Sequence, residues 1–189
     1  MPVKARDRLL ATAEELFYAE GIRAVGIERI LAESGVGRAS FYRHFPSKDD
    51  LVVAVLADRD RRWRAWLAER VDALGGDPLT VFDALAERFA REDFRGCAFI
   101  NTMIETADPD SPAHHVAAEH KERVIDYLEQ LLGAADAPEP AAQARQFALL
   151  MDGAIVTALR ERTPAPATRA RRVAEALMTA AGSDRPPGS

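Results

Sequence analysis

Apolar residues along this chain recur at helical spacing, and no run alternates apolar and polar positions over the length of a strand. Leu9, Leu10, Ala13, Leu16 and Phe17 line one face of a helix predicted over residues 3–19, which Gly21 stops. Two short helices are predicted over 27–33 and 38–44, on either side of Ser34-Gly35-Val36-Gly37. Pro46 breaks the chain, and Ser47 with Asp50 three residues on is a variant of the capping box that opens a helix over 48–74. Gly75-Gly76 closes it. The remainder is punctuated by proline. Asp77-Pro78 and Ser111-Pro112 place a cap before a first-turn proline and open helices running to 91 and 132. A shorter helix is predicted over 97–106. Pro138 and Pro140 precede a helix to 160, and Pro164 and Pro166 precede the last, to 181. The pattern predicts an all-α fold of about nine helices. It divides into an N-terminal three-helix helix-turn-helix domain (1–50), a C-terminal helical domain (51–182) and a polar, disordered tail (183–189).

Composition narrows the class. Of 189 residues, 48% are hydrophobic and 29% charged, the balance of a soluble globular protein. No apolar run reaches the roughly 18 residues of a membrane span, and the charged N-terminus has no apolar run behind it, so no signal peptide is expected. The single cysteine, Cys97, excludes an internal disulfide and a Cys-rich zinc site. The expectation is a cytoplasmic protein with no cofactor and no metal. The net charge of −5 is unevenly spread: residues 1–50 hold 8 basic and 8 acidic side chains, whereas 51–189 hold 17 and 22. Within 34–48, Arg38, Arg43 and Lys48 stand without an acid. Local field governs docking on phosphate more than net charge does, so a DNA partner stays open.

The two short helices and their Gly-containing turn form a helix-turn-helix pattern. Ile27, Ile30 and Leu31 give the first an apolar face, Val36 plugs the turn, and Gly35 suits a left-handed backbone position. On the second helix Phe41 and Phe45 project to the core side. Ala39, Ser40 and Arg43 project oppositely, flanked by Tyr42 and His44. A small residue, a hydroxyl and an arginine outward suit a reader of the major groove.

These residues resemble the tetracycline-repressor (TetR/AcrR) family of bacterial transcription regulators. The match lies in Leu16-Phe17, Gly21, Ile27, Ile30, Ser34-Gly35-Val36, Ser40-Phe41-Tyr42-Arg43-His44-Phe45, Pro46, Lys48 and Leu51, within roughly the first 52 residues. The resemblance implies a homodimer whose N-terminal domains bind a palindromic operator and whose C-terminal domains bind a small-molecule effector. It places Arg38 and Ser40 at base-reading positions, with Arg43 exposed beside them, and Tyr42, His44 and Lys48 on phosphates. Val25, Gly26, Gly37 and Ala39 depart from the family pattern, in which hydroxyl residues usually hold the first three positions and glycine the fourth.

In the second domain, residues 147–159 are apolar nearly all round, with Asp152 and Thr157 as the polar exceptions. A helix without a polar face is buried on more than one side. Phe147, Leu150, Met151 and Ile155, with Val173 and Leu177 of the last helix, are therefore expected at a dimer interface, which the resemblance implies as a four-helix bundle. Trp66, Phe82, Phe89, Phe99, Met103 and Tyr127, with Asn101, Glu105 and Asp152 as polar anchors, have the composition of an effector pocket and equally that of a core. Two other functions fit less of the chain. One is an effector-independent or architectural DNA-binding protein. The other is a metal-dependent enzyme using His115 and Glu119, four residues apart; it lacks a third ligand and any catalytic signature. The sequence therefore reads as a non-enzymatic regulator.

Overall fold

The computed structural model describes residues 4–183. Among them stand nine helices and no strand: α1 (Ala5–Glu20), α2 (Ile27–Ser34), α3 (Arg38–His44), α4 (Lys48–Ala73), α5 (Thr80–Phe89), α6 (Ala98–Thr106), α7 (Pro112–Ala134), α8 (Pro140–Glu161) and α9 (Ala165–Ser183). The expected tail lies, from 184 on, outside the described residues. No helix among those described is long and apolar enough to cross a membrane.

Local chemistry sets the helix ends. Gly35 closes α2 at φ 63° and ψ 23°, a left-handed conformation that costs glycine nothing and a branched residue much. At the start of α4 the Ser47 hydroxyl accepts from the Asp50 N–H and donates to its carboxylate. Ser111 caps α7 by accepting from the His114 N–H at 3.2 Å. Asp77 works differently from the predicted cap: its carboxylate accepts from the Leu79 N–H, the Thr80 hydroxyl donates to its carbonyl, and α5 starts only at Thr80.

The chain forms two compact units, and neither is a continuous segment. Unit 1 holds the residues up to Arg62 together with Cys97–His120; unit 2 holds Trp63–Gly96 and the chain from Lys121 on. Both α4 and α7 run through a boundary. In unit 1 the three-helix head is completed by residues distant in sequence: Phe99 of α6 and Ala113 and Ala117 of α7 join Leu9, Phe17, Ile30, Phe41 and Leu51 in one core. Next to it, His120 and Asp60 are paired at 2.8 Å, both almost wholly buried, and the imidazole stacks on Phe99 with ring centroids 3.6 Å apart.

Unit 2 is organised on α8 and α9, joined by the link 162–164. The buried face of α9 is built from alanines, Ala167, Ala170 and Ala174, which let α8 approach closely. From α5, Phe82 packs against Phe147 of α8 with centroids 5.5 Å apart.

Candidate nucleic-acid interface

The seven residues of α3 divide into two faces. Phe41 is fully buried and Phe45, just past the helix, nearly so, which ties the helix to the head. Arg38, Ala39, Tyr42, Arg43 and His44 are exposed, and Ser40 is half-buried. Tyr42 lies edge-on to Phe41 with centroids 5.1 Å apart, so one edge of the pair is seated while Tyr42 itself stays exposed. Gly37 opens the helix in an extended conformation, and its carbonyl accepts from the Ser40 and Phe41 N–H groups. Having no side chain, it leaves the first turn of α3 uncovered.

The basic groups differ in how free they are. Among the described residues Arg43 has no ion pair and stands exposed on the outer face. Arg38 is paired with Glu28 of α2. Lys48 is turned inward: its ammonium donates to the Ile22 carbonyl and lies 5.9 Å from the Phe17 ring centre. The turn after α1 brings this carbonyl within its reach, and the bond engages one of the three donors of the ammonium. Two cations not singled out by the motif also flank α3. The Arg6 guanidinium lies 5.5 Å from the centre of the Phe45 ring, and an Arg8 nitrogen lies 3.9 Å from where a Cβ on Gly35 would be. Their only sequence signal was the basic start of α1, which is ambiguous until the fold brings it beside α3.

The expected effector residues fall into two separate sets. Phe99, Asn101, Met103 and Glu105 belong to unit 1, and Trp66, Phe82, Phe89, Tyr127 and Asp152 to unit 2. Phe82, Phe89 and Phe99 are core side chains. Asp152 is satisfied structurally by the Lys121 ammonium at 2.5 Å. Burial, with Asp72 nearby, holds the Tyr127 phenol above its ordinary pKa. Asn101 and Glu105 line a small cavity in unit 1. Of the histidine cluster, His115 and Glu119 are exposed, while His120 is the buried partner of Asp60. No group of three His, Cys, Asp or Glu side chains among the described residues is placed to hold a metal ion.

The expected dimer residues divide by burial. Phe147, Met151 and Ile155 are buried inside unit 2, where Phe147 meets Phe82. Leu150 and Leu177 are half-buried. The outward face of α8 carries Leu149, Gly153, Val156 and Leu159, and Val173 of α9 is exposed as well. Leu149 and Val156 are 75% and 56% exposed, one stripe at steps of 4, 3 and 3 with Gly153 and Leu159.

Comparison with known proteins points the same way. The family profile of bacterial regulatory proteins, tetR family, matches residues 9–55. The chain is 34% identical to SCO4454, a TetR-family transcriptional regulator from Streptomyces coelicolor. The structural match covers 96% of this chain and 91% of that one with a TM-score of 0.87. The reduced form of Escherichia coli NemR is 26% identical, with 90% and 95% covered and a TM-score of 0.78. The E. coli HTH-type transcriptional regulator YjdC is 24% identical over 92% of this chain and 93% of its own.

Proposed function

The chain belongs to the TetR family of helix-turn-helix transcriptional regulators, non-enzymatic DNA-binding proteins, and from that premise we propose that it is a homodimeric repressor released from a palindromic operator by a small-molecule effector. The observation that carries the DNA-reading part is the outer face of α3. It holds Arg43 and Tyr42 exposed while Phe41 anchors the helix from behind. In the major groove Arg38, Ser40 and Arg43 face the bases, and an arginine on guanine O6 and N7 discriminates by about 1–3 kcal/mol. Tyr42 and His44 fix the register on phosphates, as does Lys48 through its remaining ammonium donors, without specifying sequence.

The dimer is supported by the exposed stripe Leu149, Gly153, Val156 and Leu159 with Val173. Exposed apolar side chains in a continuous stripe are costly in water, and the glycine allows close approach of a second helix. Two-fold symmetry then sets two copies of α3 against two half-sites one helical turn apart. An effector that binds better to a state with misplaced α3 helices lowers operator affinity, and operator lowers effector affinity by the same factor. The repressor role is supported by the relative NemR of E. coli, a transcriptional repressor 26% identical over 67% of this chain.

Fluorescence anisotropy tests this reading with the purified protein, DNA from upstream of its own gene and an unrelated duplex, over a salt series. The expected result is preferential binding with a steep salt slope. Equal binding to both duplexes, with no preferred site in a random pool, would overturn it.

A further inference from the structure

The turn that connects α1 to α2 decides where the reading pair of helices starts, and two side chains from elsewhere hold it. Lys48, at the start of α4, donates to the Ile22 carbonyl. Glu105, near the end of α6 and 82 residues away, accepts from the Arg23 N–H at 3.1 Å. The same carboxylate lies over Gly21, where a Cβ would stand 3.0 Å from its Oε2. Gly21 has φ +94°, so its lack of a side chain serves both the backbone and the approach of the carboxylate. Glu105 is half-buried and has no ion pair among the described residues, whereas Glu14 on the same cavity is paired with both Arg59 and Arg62. The Arg23 N–H is thus the hydrogen bond that ties this carboxylate to the turn, and it is made at the protein surface.

Next to this contact, between α1, α4 and α6, lies a cavity of about 30 Å³ bordered by Phe17, Ile22, Leu56 and Asn101. That is more than the roughly 10–15 Å³ one water needs. We propose that Glu105 is a positioning residue for DNA reading: through Arg23 and Gly21 it sets the turn that places α2 and α3. The proposal rests on the DNA-reading role of α3. Glu105 itself touches no DNA; it acts on the backbone that carries the reader.

The test compares wild type, Glu105→Ala and Glu105→Gln in the full chain. The amide of Gln keeps an oxygen that accepts from the Arg23 N–H; Ala keeps none. Specific and non-specific DNA affinities are measured by anisotropy, the Arg23 amide is followed by hydrogen exchange, and thermal unfolding is recorded for each. Expected is a loss of about tenfold in the ratio of specific to non-specific affinity for Glu105→Ala, within the usual range of coupling between sites. Faster exchange at Arg23 accompanies it, and Glu105→Gln restores both. A role confined to stability predicts a lower melting temperature with the specificity ratio unchanged, and that result overturns the proposal. So does a Glu105→Gln variant as impaired as Glu105→Ala. Failure of wild type to prefer any duplex is a failure of the DNA-reading role instead. Under that outcome an unchanged exchange rate at Arg23 in Glu105→Ala still refutes the positioning role.

Discussion

The guanidinium of Arg38, in the first turn of α3, is paired with the carboxylate of Glu28, in the first turn of α2. Both are more than half exposed, so the pair is screened by water and contributes on the order of 0.2–1 kcal/mol. That is less than a bidentate contact to guanine supplies, and the arginine can exchange its carboxylate for a base. Glu28→Gln therefore frees Arg38 and removes a negative charge from the DNA side of the head. The expected outcome is binding tightened a few-fold at low salt, with the gain fading as salt rises, read by anisotropy. Unchanged affinity at every salt concentration would remove Arg38 from the DNA contacts.

The dimer proposal makes a sharp demand on α8. Leu149→Glu and Val156→Glu each put a carboxylate on the exposed apolar stripe without disturbing the buried face. Light scattering after size exclusion is expected to give a monomer for these variants and a dimer for wild type. Operator binding falls with the dimer, because one head holds only one half-site. Phe147→Ala tests the opposite face: it removes a buried ring and costs about 3–5 kcal/mol of stability.

The Asp60–His120 pair is 2–3% exposed on both sides and sits against Phe99. Removing the carboxylate takes away a buried hydrogen bond of His120, at about 1–3 kcal/mol. Asp60→Ala is expected to lower the urea midpoint of unfolding strongly, while Glu119→Ala, an exposed neighbour on α7, leaves it nearly unchanged. Similar midpoints for the two variants would show that the pair does not support the unit 1 core.

Gln143 predicts a gain in stability. It is 3% exposed, and neither its amide nitrogen nor its amide oxygen has a hydrogen-bond partner among the described residues. A buried polar group left unsatisfied costs about 1–3 kcal/mol. Gln143→Met keeps the side-chain length without the amide and is expected to raise the melting temperature by several degrees. A lower melting temperature would mean that the amide contributes a bond in solution.

Much of this was legible in the sequence wherever the determinant is local. Gly35 marks the end of α2 because only glycine takes φ 63° at no cost. Phe41 and Phe45 declare the inner face of α3 by their spacing, and Ser111 announces α7. What stayed hidden depends on residues far apart. Periodicity finds two apolar faces on α8 but cannot say which one turns inward. Phe147 turns inward because Phe82, 65 positions away, meets it. Asp152 needed a partner, and only the packing of α7 on α8 names Lys121. Lys48 matched a phosphate-binding position, yet an internal carbonyl holds it. The joining of α6 to the head likewise rests on Phe99 and Glu105, which no spacing links to Gly21.

The central claim is that α3 reads a specific DNA sequence, and selection from a random duplex pool, followed by sequencing, tests it most directly. The predicted result is one enriched palindromic site for wild type. Arg43→Ala changes the preference at one or two positions in each half-site, whereas Tyr42→Ala weakens binding to all sequences without altering the preference. No enriched site for wild type, or the same preference at full affinity for both variants, would contradict it.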